Sequence, residues 1–253
     1  MPRILYGLPY SPWTHRALFA LDHHREDYRF VEHLPLVGEW KLRRLSGHPH
    51  PTVPLFVTAD GATMGGAEIA RRVDRDGSGT KLFPATHEAE IDAWVERADA
   101  LLSVARAQVL AALRKSPRAQ EESLPSFVPG ALRPLLRTVA RQGIDFIAKK
   151  HGVVGDVETR LHAEANPILE ALEAVLLDHS GAPRATILGS FTFADVAMAT
   201  AISGFSPTSK EPGSRALGPA TRACWTRDDL VTKFPRAFAW RDRTYDAHRF
   251  PAR

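Results

Sequence analysis

Hydrophobic positions come in short blocks near the start of the chain and in helical stripes further on. Ile4, Leu5 and Tyr6 form a brief apolar run ended by Gly7 and Pro9, the pattern of a buried strand and a tight turn. Ser11 precedes Pro12, and proline favours the first position of a helix because its missing N–H would be unpaired there anyway. Ser11 is therefore the expected N-cap, with Leu18, Phe19 and Leu21 facing inward. Tyr28-Arg-Phe-Val-Glu-His alternates and reads as a second strand. Leu34 to Leu45, with Trp40 and Lys41, reads as helix or loop. His48-Pro-His-Pro-Thr-Val-Pro then leads into the run Leu55–Thr58, and Asp60-Gly61 is a hairpin turn before Ala62–Met64. Val-Pro at residues 53–54 favours an ordinary trans turn, although a cis bond there would expose backbone groups to a ligand. Gly65-Gly66 opens a helix with Ile69, Ala70 and Val73 on one side, and Asp76-Gly-Ser-Gly-Thr ends it. The order is β-α-β-(α)-β-β-α.

Beyond residue 85 the period is helical throughout. Ile91, Trp94, Val95, Ala98, Leu101, Leu102 and Ala105 predict one long amphipathic helix. Ser116 to Gly130 reads as a proline-bearing loop, longer than a bundle connection needs. Leu132, Leu135, Leu136, Val139, Phe146 and Ile147 predict a second helix, with Gly143 a point of interruption. Val157 to Leu177 predicts a third that Pro167 should kink. In Phe191-Thr-Phe-Ala-Asp-Val, Thr192 and Asp195 form a capping box and Phe191 against Val196 a hydrophobic staple. Both residues are therefore assigned to structure. Cys224 is expected in a loop.

Composition narrows the class without naming a chemistry. The 253 residues are 44% hydrophobic and 25% charged, ordinary for a globular protein, and the length allows one large domain or two smaller ones. A net charge of +4 without a Lys/Arg block is weak evidence for nucleic-acid binding. A single cysteine excludes an intrachain disulfide and a Cys-X-X-Cys pair. No apolar run has membrane-spanning length and no signal-peptide core is present, so a cytoplasmic protein without membrane or nucleic-acid partners is expected. The histidines at 23, 24, 33, 48 and 50 fit no zinc spacing, and no metal is expected.

Ser11 is the first candidate for chemistry. A hydroxyl at a helix N-terminus can donate to a thiolate while the dipole adds to the stabilisation. A thiol of pKa ~8.5 must drop by about two units to be mostly ionised at neutral pH, about 2.7 kcal/mol. One hydrogen bond to a charge supplies about 1.5–3 kcal/mol and the helix end about 0.3–1. The sum suffices, although a plain cap would look the same in the sequence.

The chain at this point resembles the glutathione S-transferase superfamily, a serine-type and bacterial-like member. The resemblance rests on Ser11-Pro-X-X-X-Arg16, Thr52-Val-Pro54, the hairpin, Leu82-Phe-Pro84, the capping box, and Phe234-Pro-Arg-Ala-Phe-Ala-Trp near the end. It implies an α/β thioredoxin-like N-terminal domain over residues 1–80 and an all-α helical bundle over 85–253. It implies a homodimer that uses glutathione as co-substrate against a small-molecule electrophile or an organic hydroperoxide. Ser11 would hold the thiolate, with Tyr10 as the competing phenol. Val53, ahead of a cis Pro54, would pair with the cysteinyl backbone. Lys41 and His50 would take the glycyl carboxylate. Trp13 and Thr14 would face the acceptor, and Arg16 would be a structural ion-pair partner.

One departure stands out. Relatives carry an acid and a serine just ahead of the helix after the hairpin, to grip the γ-glutamyl end, and here Gly65 and Gly66 stand in their place. The Gly66 N–H and the helix end remain for a carboxylate, and Glu68 lies further along. Restoring Glu and Ser is expected to add about 1.5–3 kcal/mol of glutathione binding. Two other readings follow from the glycines: a non-catalytic ligand-binding protein of the same fold, or an enzyme that uses a different small thiol.

Overall fold

The computed structural model describes residues 3–34, 38–124, 128–153, 155–208 and 217–249. The N-terminal part runs β1 (Ile4–Gly7), α1 (Pro12–His23), β2 (Arg29–Glu32), α2 (Glu39–Ser46), β3 (Leu55–Thr58), β4 (Gly61–Met64) and α3 (Gly66–Asp76). The strands form one sheet in the order β2-β1-β3-β4. β1 and β2 are parallel, whereas β1–β3 and β3–β4 are antiparallel, so α1 is the crossover of a right-twisting β-α-β unit. Alternation along the strands feeds two small cores. Leu5 and Phe56 join Ala17, Leu18 and Leu21 of α1 and Ile69 and Val73 of α3 on one face. Tyr6 and Leu55 point the other way, onto Leu42 of α2.

The helical part begins with α4 (Glu88–Lys115), which buries Ile91, Trp94, Ala98, Leu101, Leu102 and Ala105 as the periodicity requires. Short α5 (Pro117–Glu122) and α6 (Arg137–Lys150) follow, then α7 (Val157–Arg160), α8 (Asn166–Val175), α9 (Phe193–Ser203), α10 (Pro219–Trp225), α11 (Asp228–Lys233) and α12 (Pro235–His248). All eleven residues of α9 are buried, and it is the axis of the largest core, which also takes in Phe19, Ala20 and Ala70 from the first part. No helix among the described residues is long and apolar enough to cross a membrane.

Asp195 at the start of α9 accepts hydrogen bonds from the backbone N–H of Thr192 (2.9 Å) and of Ile187 (2.8 Å), and from the Thr192 hydroxyl (3.2 Å). That is the reciprocal cap expected of the Thr-X-X-Asp spacing. Burial pushes the Asp195 carboxyl up to about 6 despite those donors. Phe191 stacks on His248, with ring centroids 3.6 Å apart.

Several expectations for the helical part need correction. Residues 117–122 are helical, where a loop was expected: Ser116 caps them through its hydroxyl and Pro117 fills the first position. Residues 125–127 of that expected loop lie outside the described residues. Gly143 does not interrupt α6. The inward face of α6 is Ile144 and Ala148, while Leu132, Leu135, Val139 and Phe146 are exposed. The expected third helix is present over residues 157–175, as α7, a single π-turn at Leu161–Ala165 and α8, and the π-turn just before Pro167 accommodates its missing N–H. Cys224 lies buried in α10.

Candidate active site

Three pieces of the N-terminal part converge at the C-terminal edge of β1. The first is the turn Leu8–Ser11, closed by the Ser11 N–H donating to the Leu8 carbonyl at 3.0 Å. Ser11 has extended backbone (φ −83°, ψ 124°) and its carbonyl accepts the first helical bond, from His15 N–H at 3.0 Å. Its hydroxyl makes no capping bond, so the fold leaves that donor free at the end of α1. Ser11 is nearly buried, at 9% exposure. Low exposure beside helix N–H groups strengthens a hydrogen bond to an anion.

The second piece is the Val53-Pro54 bond, which is cis where the dipeptide alone favoured trans. The third is the start of α3. The Gly65 N–H donates to the Pro54 carbonyl at 3.1 Å, tying it to the cis bond. Gly65 has φ +91°, a region that disfavours side chains. A Cβ on Gly66 would stand 2.7 Å from the Trp13 carbonyl oxygen and 2.8 Å from Arg16 Cβ. The two glycines are thus what lets α3 abut α1. The Glu68 carboxylate folds back over Gly65, with Oε2 2.1 Å from where a Cβ would be. An acid is therefore present at this helix start, delivered from inside the helix.

Behind the turn sits His15, which the sequence reading passed over. It is fully buried; its Nε2 lies 2.7 Å from the Pro9 carbonyl and its Nδ1 3.4 Å from the Tyr245 hydroxyl. A carbonyl can only accept, so Nε2 carries the proton and Nδ1 accepts from Tyr245. Burial lowers the imidazole to about 4, which keeps it neutral at pH 7. Arg16, at 2% exposure, pairs with Asp99 of α4 and donates to the Thr200 hydroxyl of α9 (3.4 Å), the structural role expected of it.

The remaining candidates divide. Tyr10 adjoins Ser11, and burial, with Glu32 adding, pushes its phenol above the ordinary value and keeps it protonated. Trp13 is half-buried, facing the helical part with the Arg106 guanidinium 4.1 Å over its ring. Thr14 is a correction: it is fully buried and accepts the Leu8 N–H (3.2 Å), so it shapes the turn and cannot line an acceptor pocket. Lys41 is exposed on α2 with Nζ 5.0 Å from the Tyr6 ring, and His50 is exposed on the following loop. Lys150, from α6, pairs with Glu39 (3.1 Å) and donates to the Pro51 carbonyl (3.2 Å), bringing the helical part against the loop that carries Val53-Pro54. Among the described residues no cluster of His, Cys, Asp and Glu is arranged to hold a metal.

Comparison with known proteins bears on the fold. Residues 5–81 match the profile of the glutathione S-transferase N-terminal domain. A search of curated protein sequences finds no significant match. Among solved structures, the chain is similar to glutathione transferase GSTFuA3 of Phanerochaete chrysosporium, with 17% identity, a TM-score of 0.63, and 100% of this chain and 99% of that one covered. It is also similar to a glutathione S-transferase of Methylobacillus flagellatus with glutathione bound (16%, TM-score 0.56, 97% and 93% covered). A third is a glutathione S-transferase of Ceriporiopsis subvermispora in complex with glutathione (15%, TM-score 0.57, 100% and 99% covered). Residues 5–81 are thus similar to a glutathione S-transferase N-terminal domain, and the chain as a whole has the fold of these solved glutathione transferases, a thioredoxin-like α/β part followed by a large helical part.

Proposed function

We propose that this protein is a glutathione transferase in which the Ser11 hydroxyl donates to the glutathione thiolate, with residues 1–80 holding the thiol and residues 85–253 the acceptor. The observation that carries this is the free Ser11 hydroxyl at the start of α1, beside the cis Val53-Pro54 bond and the α3 N-terminus. In this reading the Val53 backbone pairs with the cysteinyl unit and the Gly66 N–H receives the γ-glutamyl carboxylate. Glu68, over Gly65, takes the ammonium in place of the missing acid. Lys41 and His50 attract the glycyl carboxylate.

The thiolate sulfur attacks a hydrophobic electrophile, whose leaving group departs with the bonding pair, or attacks an organic hydroperoxide. In the second case the O–O bond breaks, releasing the alcohol and leaving glutathione sulfenic acid, which a second glutathione converts to the disulfide and water. A serine in place of a cysteine cannot form a mixed disulfide, so thiol-transfer chemistry at residue 11 is set aside. The assembly this reading carries is a cytoplasmic homodimer, which light scattering on the purified protein tests.

Gly65-Gly66 favours a second reading, a small thiol other than glutathione. A calorimetric titration with glutathione, beside bacillithiol and mycothiol, separates the two. Micromolar binding of glutathione alone supports the first reading, and binding only of another thiol supports the second. Binding of none of them sinks both and leaves a ligand-binding protein of the same fold.

A further inference from the structure

Arg106 lies on the side of α4 whose side chains reach α1. Asp99 meets Arg16, and seven residues later Arg106 meets Trp13, so α4 passes antiparallel to the first turns of α1 and rises about 10 Å between the two contacts. The direction from Asp99 to Arg106 is the direction from Arg16 back toward Ser11. Arg106 is thus on the Ser11 side of this helix pair, stacked on a residue two positions from Ser11.

Its environment is unusual for an arginine. Arg106 is half-buried, yet no carboxylate and no hydrogen-bond acceptor engages its guanidinium among the described residues. Asp99, the carboxylate that acts on it through space, is already committed to Arg16. Burial lowers its pKa to about 10. The Trp13 ring offsets part of the desolvation, by about 0.5–2 kcal/mol. The planar fork of N–H donors is left without an acceptor among the described residues, and such a fork matches a bidentate carboxylate. The surroundings add positive charge: burial first, then Arg106 and Lys150, lower the imidazole of His151 at the end of α6, so both cations are felt there. Lys150 is neutralised by Glu39, whereas Arg106 is not.

We propose that Arg106 and Trp13 form part of the acceptor subsite and select a planar electrophile bearing a carboxylate, with the carboxylate in the Arg106 fork and the ring beside the stacked Arg106–Trp13 pair. The proposal rests on the transferase reading for its chemistry but not for its binding. With a chloronitrobenzoate, the thiolate sulfur bonds to the carbon bearing chlorine, and chloride leaves with its bonding pair. The ring carboxylate is untouched.

The test uses 4-chloro-3-nitrobenzoate and its methyl ester, which differ in that charge and in one methyl group, and reads binding by calorimetry before turnover. The wild type should bind the carboxylate more tightly than the ester. Arg106→Gln should weaken the carboxylate about ten- to a hundredfold and leave the ester within about twofold. Arg106→Lys, which keeps charge and loses the fork, should fall between them and guards against a folding defect in the first variant. Equal affinity of the wild type for the two compounds, or an equal loss of both on substitution, overturns the proposal. Turnover with glutathione is then measured on both compounds. Its absence would sink the transferase reading while the binding result still decides the role of Arg106.

Discussion

His15 and Tyr245 lie 230 residues apart in sequence and meet at 3.4 Å, Tyr245 donating to the ring nitrogen opposite the one that holds the Pro9 carbonyl. The last helix thereby fixes the orientation of an imidazole whose other side braces the turn carrying Tyr10 and Ser11. The ring can do this only while neutral, because a proton on Nδ1 removes the acceptor Tyr245 requires.

The folded-state pKa of His15, about 4, lies below its ordinary 6.5. Its contribution to stability is therefore present above pH 6.5 and lost as the pH falls through 4, about 3 kcal/mol in all. An imidazole resonance assigned to His15 should titrate near 4 by NMR. A midpoint near 6.5 would show that the ring is not held as described. His15→Ala should destabilise the fold by about 1–3 kcal/mol, through the Pro9 carbonyl left unpaired.

Ser11 and Tyr10 compete for the thiolate, and their surroundings favour Ser11. Ser11→Ala should lower turnover with a generic aromatic electrophile by about 10²-fold with the melting temperature nearly unchanged, the loss of one charge-assisted hydrogen bond of about 2–3 kcal/mol. Tyr10→Phe should cost little, since the helix N-terminus and the free hydroxyl lie at Ser11 and not at Tyr10. Activity that survives the first change and collapses in the second would move the role to Tyr10.

Asp195 behaves in the opposite sense to His15. Its carboxyl is raised to about 6, so its favourable contribution is full below the ordinary value near 3.8 and is lost as pH rises through 6. A carboxyl carbon signal titrating near 6 checks this. Removing the side chain leaves the buried Thr192 and Ile187 N–H groups without acceptors. Asp195→Ala should then cost about 2–4 kcal/mol while ligand affinity in the folded fraction is unchanged. Loss of affinity at an unchanged melting temperature would contradict a purely structural role.

What was legible in the chain was what local rules govern. The Ser11-Pro12 start and the Thr192/Asp195 cap each act within a few residues and stand where the spacing put them, and the hairpin turn falls at Ala59-Asp60, one residue ahead of the expected Asp60-Gly61. The apolar face of α6 was misread because periodicity reports an amphipathic stripe without saying which side meets protein, and here the side of Ile144 and Ala148 does. His15 was invisible because its two partners, the Pro9 carbonyl and Tyr245, are set by tertiary packing. Arg106 escaped for the same reason: its place over Trp13, with Asp99 committed to Arg16, is set by tertiary packing.

Glu68 and the two glycines before it supply the last prediction. Exchanging Gly65 and Gly66 for the acid and serine of relatives would not add affinity, contrary to the expectation from sequence. Gly65 holds φ +91°, and a Cβ on Gly66 would press on the Trp13 carbonyl oxygen at 2.7 Å, which is backbone and cannot turn aside. Gly66→Ala alone should cost about 1–3 kcal/mol by overpacking, and Gly65→Ala a similar amount through backbone strain. Glu68 is the residue to change. Its carboxylate reaches the same place from the first turn of α3, so Glu68→Gln should weaken glutathione about ten- to a hundredfold by removing the partner of the ammonium. A glutathione analogue lacking the α-amino group isolates that contact, because Glu68→Gln should leave its affinity unchanged. If the substitution weakens glutathione and the analogue equally, Glu68 acts on the helix and not on the ammonium. If neither affinity moves, the γ-glutamyl end is held elsewhere.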